Sequence, residues 1–548
     1  MLFGRRKERV EERARMAAQA GFTALDRRFP ASETGRLLLR KAFPDHWSYF
    51  LGELALYSLL LLVVTGSFLV LFFDPSMTET VYHGSYAPLQ GQRMTQAYAS
   101  AIALSFDVRG GLLIRQVHHW AALVFIAAAG VHMLRIFFTG AFRRPRELNW
   151  TVGVTLFVLA LLEGFCGYSL PDDLLSGTGL RTAYTIVTSI PLVGTYLAFF
   201  IWRGPFPGEL LIPRLYVVHV MFVPGVLLAL VGLHLFLVVY LKHTQWSRPG
   251  RTNRNVVGQP MFPQFTAKST GLMLMVCGFL FVLGALAQIN PVWNYGPFRA
   301  DQVATDAQPD WYVGFLEGAL RLMPPWENNV AGHTLMWNVL LPAVVLPAAL
   351  FAVLYAYPWF EKWVTGDRSE HHLCDRPRDR PTRTGLGVAA TVAYALLLIA
   401  GGNDVIAYTF RISVNDLTWV LRVLVVAGPV LAFALTKRLC LALQERDRGR
   451  LTEGEENGEV AQSVFGALDE GSEPLPAAEA YPLMVREMPR PLTVQEGPAP
   501  RRVRLRTALS SWYYRDRIEM PVTEAQRAQI AGRLAEPETE PGQEHDKS

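Results

Sequence analysis

Eight apolar runs divide the chain, at about 48–73, 112–139, 151–170, 213–241, 270–289, 334–357, 385–408 and 417–441. Each approaches or exceeds the roughly 20 residues that an α-helix needs to cross a hydrocarbon core about 30 Å thick. They are apolar on every face rather than along one stripe, which predicts lipid-embedded helices. The polar loops between them alternate in charge. Arg143, Arg144 and Arg146 follow the second run, Lys242, Arg248, Arg251, Arg254 and Lys268 the fourth, and an Arg-rich stretch at 368–383 the sixth. Excess Lys and Arg marks the cytoplasmic side. The loops after the first, third, fifth and seventh runs are poorer in Lys and Arg, and the one after the fifth holds Asp301, Asp306, Asp310, Glu317 and Glu327. An even number of spans then leaves both termini cytoplasmic.

Histidines punctuate two of these runs. His118 and His132 lie fourteen residues apart in the second, and His219 and His234 fifteen apart in the fourth. At 100° and 1.5 Å per residue, fourteen residues turn about 1400° and climb about 21 Å, so both rings leave one face at opposite depths. Fifteen residues keep them roughly on one face. The two runs are separated by a single span and therefore run parallel, which pairs His118 with His219 near the outer surface and His132 with His234 near the inner. A single intramembrane histidine is more often a packing or proton-relay residue, but two matched pairs can clamp two haems about 20 Å apart. With both axial positions filled by protein, such irons are built for electron transfer rather than oxygen binding.

Glycines repeat the interval. Gly52 and Gly66 in the first run, and Gly153 and Gly167 in the third, are again fourteen apart, giving each helix two notches at the depth of the histidines. Arg115 and Arg135 flank the histidines of the second run at the two membrane edges, placed to snorkel or to hold haem propionates. Glu163 stands alone among Leu161, Leu162 and Phe165, a costly position that calls for a partner, a proton or a wet cavity. The loop after the third run begins Gly167-Tyr-Ser-Leu-Pro-Asp172-Asp173 and suits the membrane interface. The loop after the fifth contains Pro309-Asp310-Trp311-Tyr312, then Gly314 and Glu317. A carboxylate beside two amphipathic aromatics can bind a quinol ring and accept its proton.

Composition narrows the class. Apolar residues make up 51% of the 548 and the net charge is only +5, which describes a polytopic membrane body and gives no case for nucleic acid. The cysteines, Cys166, Cys277, Cys374 and Cys440, form no CxxC pair, so neither a disulfide framework nor covalently attached haem is indicated. The expected architecture is all-α. Residues 1–46 form a basic amphipathic cytoplasmic segment without a cleaved signal peptide. Residues 47–245 form a dihaem four-helix bundle, 246–444 a second transmembrane part, and 445–548 a charged, mostly disordered tail. Within the tail, Thr523 to Gln526 has the pattern of a capping box, opening a helix that ends near Gly532. His371 and His372 read as members of a solvated loop.

With these residues in view, the chain resembles cytochrome b of the cytochrome bc complex, respiratory complex III, in its eight-span actinobacterial form, over about residues 48–440. The resemblance implies that His118, His132, His219 and His234 bind two b-type haems, that Gly52, Gly66, Gly153 and Gly167 face them, and that residues 309–312 are the quinol-oxidation motif. There the family usually has Pro-Glu-Trp-Tyr, so Asp310 is one methylene shorter, and Glu163 or Glu317 could share its role. The family's inner quinone site uses a His after the fourth span and a Lys-Asp pair opening the fifth; here His243 is displaced by an insertion and Lys268 is followed by Ser269. The implied activity is a menaquinol:cytochrome c reductase working by a Q-cycle in a bacterial cell membrane. Its implied partners are a Rieske iron-sulfur subunit, a multihaem cytochrome c, a haem-copper oxidase and a second copy of the complex. Two other readings compete: a dihaem anchor of another quinone-linked oxidoreductase, which leaves Pro309 to Tyr312 without a role, and a transporter with histidine proton relays, which would show no haem absorption.

Overall fold

In a computed structural model of the chain, residues 39–304, 308–486, 489–493, 500–516, 518–523 and 525 are described, with 16, 33, 35 and 36. Most of the basic segment 1–46, Asp306, and all of 523–532 except 523 and 525 lie outside the described residues. Among the described residues, eight helices are long and apolar enough to cross a membrane: α1 (Trp47–Leu69), α3 (Gly111–Phe138), α4 (Glu147–Ser169), α7 (Leu211–Tyr240), α8 (Met261–Leu286), α10 (Trp337–Thr365), α11 (Pro381–Gly401) and α13 (Val414–Glu453). Short surface helices join them at one end: α2 (Gln96–Phe106), α5 (Leu174–Thr188), α6 (Gly194–Trp202), α9 (Gly314–Leu322) and α12 (Asn403–Phe410).

Local sequence sets these boundaries. Thr95 caps α2 by accepting from the amide of Tyr98, and Asp173 caps α5 in a reciprocal box with Ser176. Gly366 ends α10 with φ of 73°, a left-handed conformation that costs glycine little. The four helices α1, α3, α4 and α7 carry the paired histidines and their facing glycines. Against them α8 packs tightly: Leu61 of α1 and Val117 and Ala121 of α3 are buried with Val276 and Leu280 of α8. Gly284 permits this approach, since a Cβ there would lie 2.6 Å from Val117.

One irregularity matters for the site. In α7 a π-type turn occupies Val218–Phe222, just before Pro224. Such a turn absorbs one extra residue, so the fifteen-residue interval from His219 to His234 becomes geometrically equivalent to the fourteen of α3. The two histidine pairs are thereby brought into register.

The basic loops gather at the end of the bundle opposite α2, α5 and α6. A short strand (Gln245–Trp246), after α7, pairs in parallel with another (Leu373–Cys374), after α10. Asp375 there accepts from Arg383 at 2.6 Å and pairs with Arg143 at 3.0 Å. His371 and His372 are buried in this junction, not solvated: His371 contacts Asp367 at 2.7 Å, and His372 lies 2.8 Å from Arg146. The expectation failed because charge density was read as exposure, whereas these charges neutralise one another.

The described residues of the tail carry regular structure. Helix α13 runs on to Glu453, and a hairpin (Glu455–Gln462 with Leu468–Glu473), α14 (Ala477–Met484) and α15 (Arg501–Tyr513) follow. Tyr481, Leu483 and Tyr513 are buried, Thr382 donates to the carbonyl of Tyr513 at 2.7 Å, and Arg506 donates to that of Trp363 at 2.6 Å. A segment too polar to build its own core can still order by docking a few apolar residues on an existing surface.

Candidate dihaem and quinol site

The histidines of α3 and α7 face each other in two layers. Ring centroids of His118 and His219 are 6.2 Å apart, and those of His132 and His234 are 6.4 Å apart. Two metal–imidazole bonds of about 2 Å each would span about 4 Å, leaving about 1.1 Å per ring, which is the distance from an imidazole's centre to its own nitrogen. Both gaps therefore fit one iron. The glycines make room for the rings themselves: a Cβ at Gly66 would lie 3.2 Å from Cε1 of His118, at Gly52 3.1 Å from that of His132, at Gly167 2.6 Å from that of His219 and at Gly153 3.7 Å from that of His234.

The two layers differ in how their rings are held. His118 Nδ1 lies 2.9 Å from the Thr65 hydroxyl, which gives its own proton to the carbonyl of Leu61 at 2.7 Å. The hydroxyl is thus an acceptor, which places the imidazole proton on Nδ1 and frees Nε2 for a metal. His219 Nδ1 faces two acceptors, the Glu163 carbonyl at 3.2 Å and its Oε1 at 2.9 Å. In the inner layer, Nδ1 of His132 is buried without a hydrogen-bond partner.

Arg115 and Arg135 do more than reach for water. Nε and Nη2 of Arg115 and Nε of Arg135 are buried without partners, open donors at the two edges that suit haem propionates. Arg135 also stacks over the Tyr49 ring at 4.6 Å.

At the outer end the Pro309–Tyr312 loop folds onto α3 and α4. Asp310 sits 3.2 Å from Nε2 of His119 and accepts from the Tyr312 hydroxyl at 3.3 Å. Tyr312 is buried against Ile126 and Ala160, its hydroxyl over the notch at Gly164, where a Cβ would be 2.5 Å away. Desolvation, reinforced by Asp310, holds its pKa well above the usual tyrosine value. Trp311, partly exposed, stands edge-on to it at 6.1 Å. His119 was not singled out from sequence: it is the neighbour of a ligand, and only the fold shows that it points about 100° away to the loop.

The other two carboxyls separate. Glu163 is engaged with His219, while its Oε2 is buried and unpartnered. Glu317 accepts from Arg321 Nε at 3.0 Å, in a cluster where Arg321 also reaches Asp404 at 2.7 Å. Burial raises the pKa of Glu317 and Arg321 opposes the shift.

At the inner end His243 packs on Phe43 at 4.6 Å, and its Nε2 is buried without a partner. Burial, then Lys41, Arg146 and Arg135, push its pKa down to about 4, so it is neutral. Lys268 pairs with Asp45 at 2.8 Å. Ser269 donates to Glu53 at 2.5 Å, and Tyr57 donates to the same carboxyl at 3.3 Å. Glu53 and Tyr57 also escaped the sequence reading, because a carboxyl beside Gly52 has no periodic signature.

Eight membrane helices arranged round two facing histidine pairs place this chain among the membrane-embedded b-type cytochromes. A family model described as "Cytochrome b(N-terminal)/b6/petB" matches residues 123–297, a segment that includes His132, Gly153, Gly167, His219 and His234. The cytochrome bc1 complex cytochrome b subunit of Streptomyces coelicolor is 51% identical over 88% of this chain and 90% of its own length. That of Mycobacterium bovis is 48% identical over 87% and 86%. A solved chain of a hyperthermophilic respiratory complex III shares the fold, with a TM-score of 0.56 and 22% identity over 76% of this chain and 98% of its own. The chain belongs to the family of cytochrome bc1 complex cytochrome b subunits, components of a quinol:cytochrome c oxidoreductase.

Proposed function

We propose that this chain oxidises menaquinol at the pocket of Asp310, Trp311 and Tyr312, and passes one of the two electrons inward over two haems. The reading rests chiefly on the juxtaposition of the Asp310–His119 contact with the His118 layer: one helical position separates the residue that meets the quinol loop from the one that meets iron. A bound haem supplies reversible one-electron transfer at each layer. His118 and His219 would hold the outer one, and His132 and His234 the inner.

Oxidation of one quinol to quinone releases two electrons and two protons. Asp310 accepts the first hydroxyl proton; its two oxygens have lone pairs left after His119 and Tyr312 are bonded. Trp311 and Tyr312 wall the ring. Glu317, its pKa already raised, is the onward holder for a proton on its way to the outer surface. One electron leaves to a Rieske subunit and the other crosses to the inner layer; two such turnovers, with two protons taken up from the inner side, reduce one quinone to quinol among His243, Lys268, Ser269 and Glu53. Moving one charge against 100 mV across the whole membrane costs about 2.3 kcal/mol, and this is how the redox drop is stored.

The chain carries no cysteine pair for an iron-sulfur cluster or for haem c, so those centres belong to other subunits: the Rieske protein, a multihaem cytochrome c and, beyond it, a haem-copper oxidase. The assembly is a homodimer in a bacterial cell membrane with the basic loops and both termini cytoplasmic. Asp310→Asn tests the assignment. Quinol oxidation in the purified complex should slow by one to two orders of magnitude, with two haems per chain retained. Unchanged turnover at full haem content would remove Asp310 from the proton path.

A further inference from the structure

The four ligand histidines are not held alike, and the difference follows depth. Both outer rings give their Nδ1 proton to a side chain: His118 to the neutral Thr65 hydroxyl at 2.9 Å, His219 to the Glu163 carboxyl at 2.9 Å. In the inner layer, Nδ1 of His132 is buried with no hydrogen-bond partner. An imidazole that shares its N–H with a carboxylate becomes a stronger donor through its other nitrogen. A stronger donor favours the ferric over the ferrous state, because the ferric centre carries one more positive charge, and a buried anion next to the ligand acts in the same direction.

We propose that Glu163 is a positioning residue for the outer haem: by accepting the Nδ1 proton of His219 it fixes that ring's tautomer and holds the outer potential lower than a neutral partner would. The inference rests on the reading of the two histidine pairs as iron ligands. The step it governs is transfer of one electron; no bond is made or broken, and the proton stays on Nδ1. Its consequence is directional. An electron delivered at the quinol pocket meets an outer acceptor made reluctant to keep it, which favours its onward transfer to the inner layer. The same contact accounts for a carboxyl within an apolar helix: Glu163 is one residue from Gly164, whose notch takes the Tyr312 hydroxyl, and four from Gly167, whose notch takes the His219 ring.

The test is a redox titration of the whole purified complex, followed by the haem absorption bands, on the parent and on Glu163→Gln, Glu163→Asp and Thr65→Val. Glu163→Gln keeps an acceptor of nearly the same shape and removes the charge; the outer potential should rise while the inner one stays, and the paramagnetic resonance of the oxidised outer haem should move with it. Glu163→Asp should restore most of the shift. Thr65→Val, which deletes a neutral acceptor from the partner ring, should move the outer potential less than Glu163→Gln does. An outer potential unmoved by Glu163→Gln, an equal shift of both haems, or a larger effect of Thr65→Val would each overturn the proposal. Absence of two haems from the parent complex would instead overturn the ligand reading beneath it.

Discussion

A Cβ at Gly167 would lie 2.6 Å from His219, inside any real contact distance, whereas one at Gly153 would lie 3.7 Å from His234, in ordinary contact. A ring pinned by iron on one nitrogen and by Glu163 on the other cannot swing away, so Gly167→Ala should lower outer-haem content several-fold or broaden its absorption band, while Gly153→Ala leaves the inner haem in place. Reduced-minus-oxidised spectra of the two variants decide this, and equal tolerance would mean that the rings are free to retreat. At this scale the histidines and glycines were legible because they repeat at one interval that helix geometry explains. His119, Glu53 and Thr65 were not, for each occurs once and its role depends on what a distant segment brings to it: the Asp310 loop, Ser269 of α8, and the His118 ring.

Helix α7 shows the same contrast between pattern and packing. Ideal helix arithmetic leaves His219 and His234 about 60° out of line, and the π-type turn at Val218–Phe222 removes that offset. The local signal was Pro224, which lacks the N–H that a regular turn would use, but a proline alone does not say whether the helix kinks, breaks or widens. If the turn exists to absorb one residue, deleting Met221 should restore a regular helix with a fourteen-residue interval, and both haems should still bind. Deleting Ala229, beyond the turn, leaves the wide turn in place and should rotate His234 away from His132, costing the inner haem. Loss of both haems from the Met221 deletion would show that the turn serves something other than register. For α13 and α15 the obstacle was different: their fold was hidden from composition because their charges are spent on one another and on the body, as where Asp447 is buried between Arg376 at 3.1 Å and Arg378 at 3.3 Å.

Across the whole molecule, charge and chemistry sort to opposite ends. The quinol loop, α5 and α6 occupy one end, where Leu192, Tyr196, Phe199 and Phe200 remain exposed as an apolar skirt suited to the membrane interface. The other end holds Arg143, Arg146, Arg376, Arg380 and Arg383 tied to Asp375, Asp379, Asp447 and the loop carbonyls, and it also receives the described part of the tail. This segregation matters for the proposed function as well as for insertion: protons released from quinol must leave on the side away from those taken up by quinone, and the two proposed sites lie at opposite ends of the paired histidines. Positive residues stay where the membrane potential and the anionic inner leaflet favour them, and on that ground we propose that the basic end, with the described part of the tail, faces the cytoplasm. Protease added to right-side-out vesicles should therefore leave the C-terminal 100 or so residues attached, by the positive-inside rule, and the same protease should shorten the chain in inside-out vesicles. An epitope placed after Ser548 reports both outcomes on one blot. Loss of that epitope from intact right-side-out vesicles would invert the whole arrangement, putting the Asp310 pocket on the cytoplasmic side, where quinol oxidation would discharge the gradient it is proposed to build.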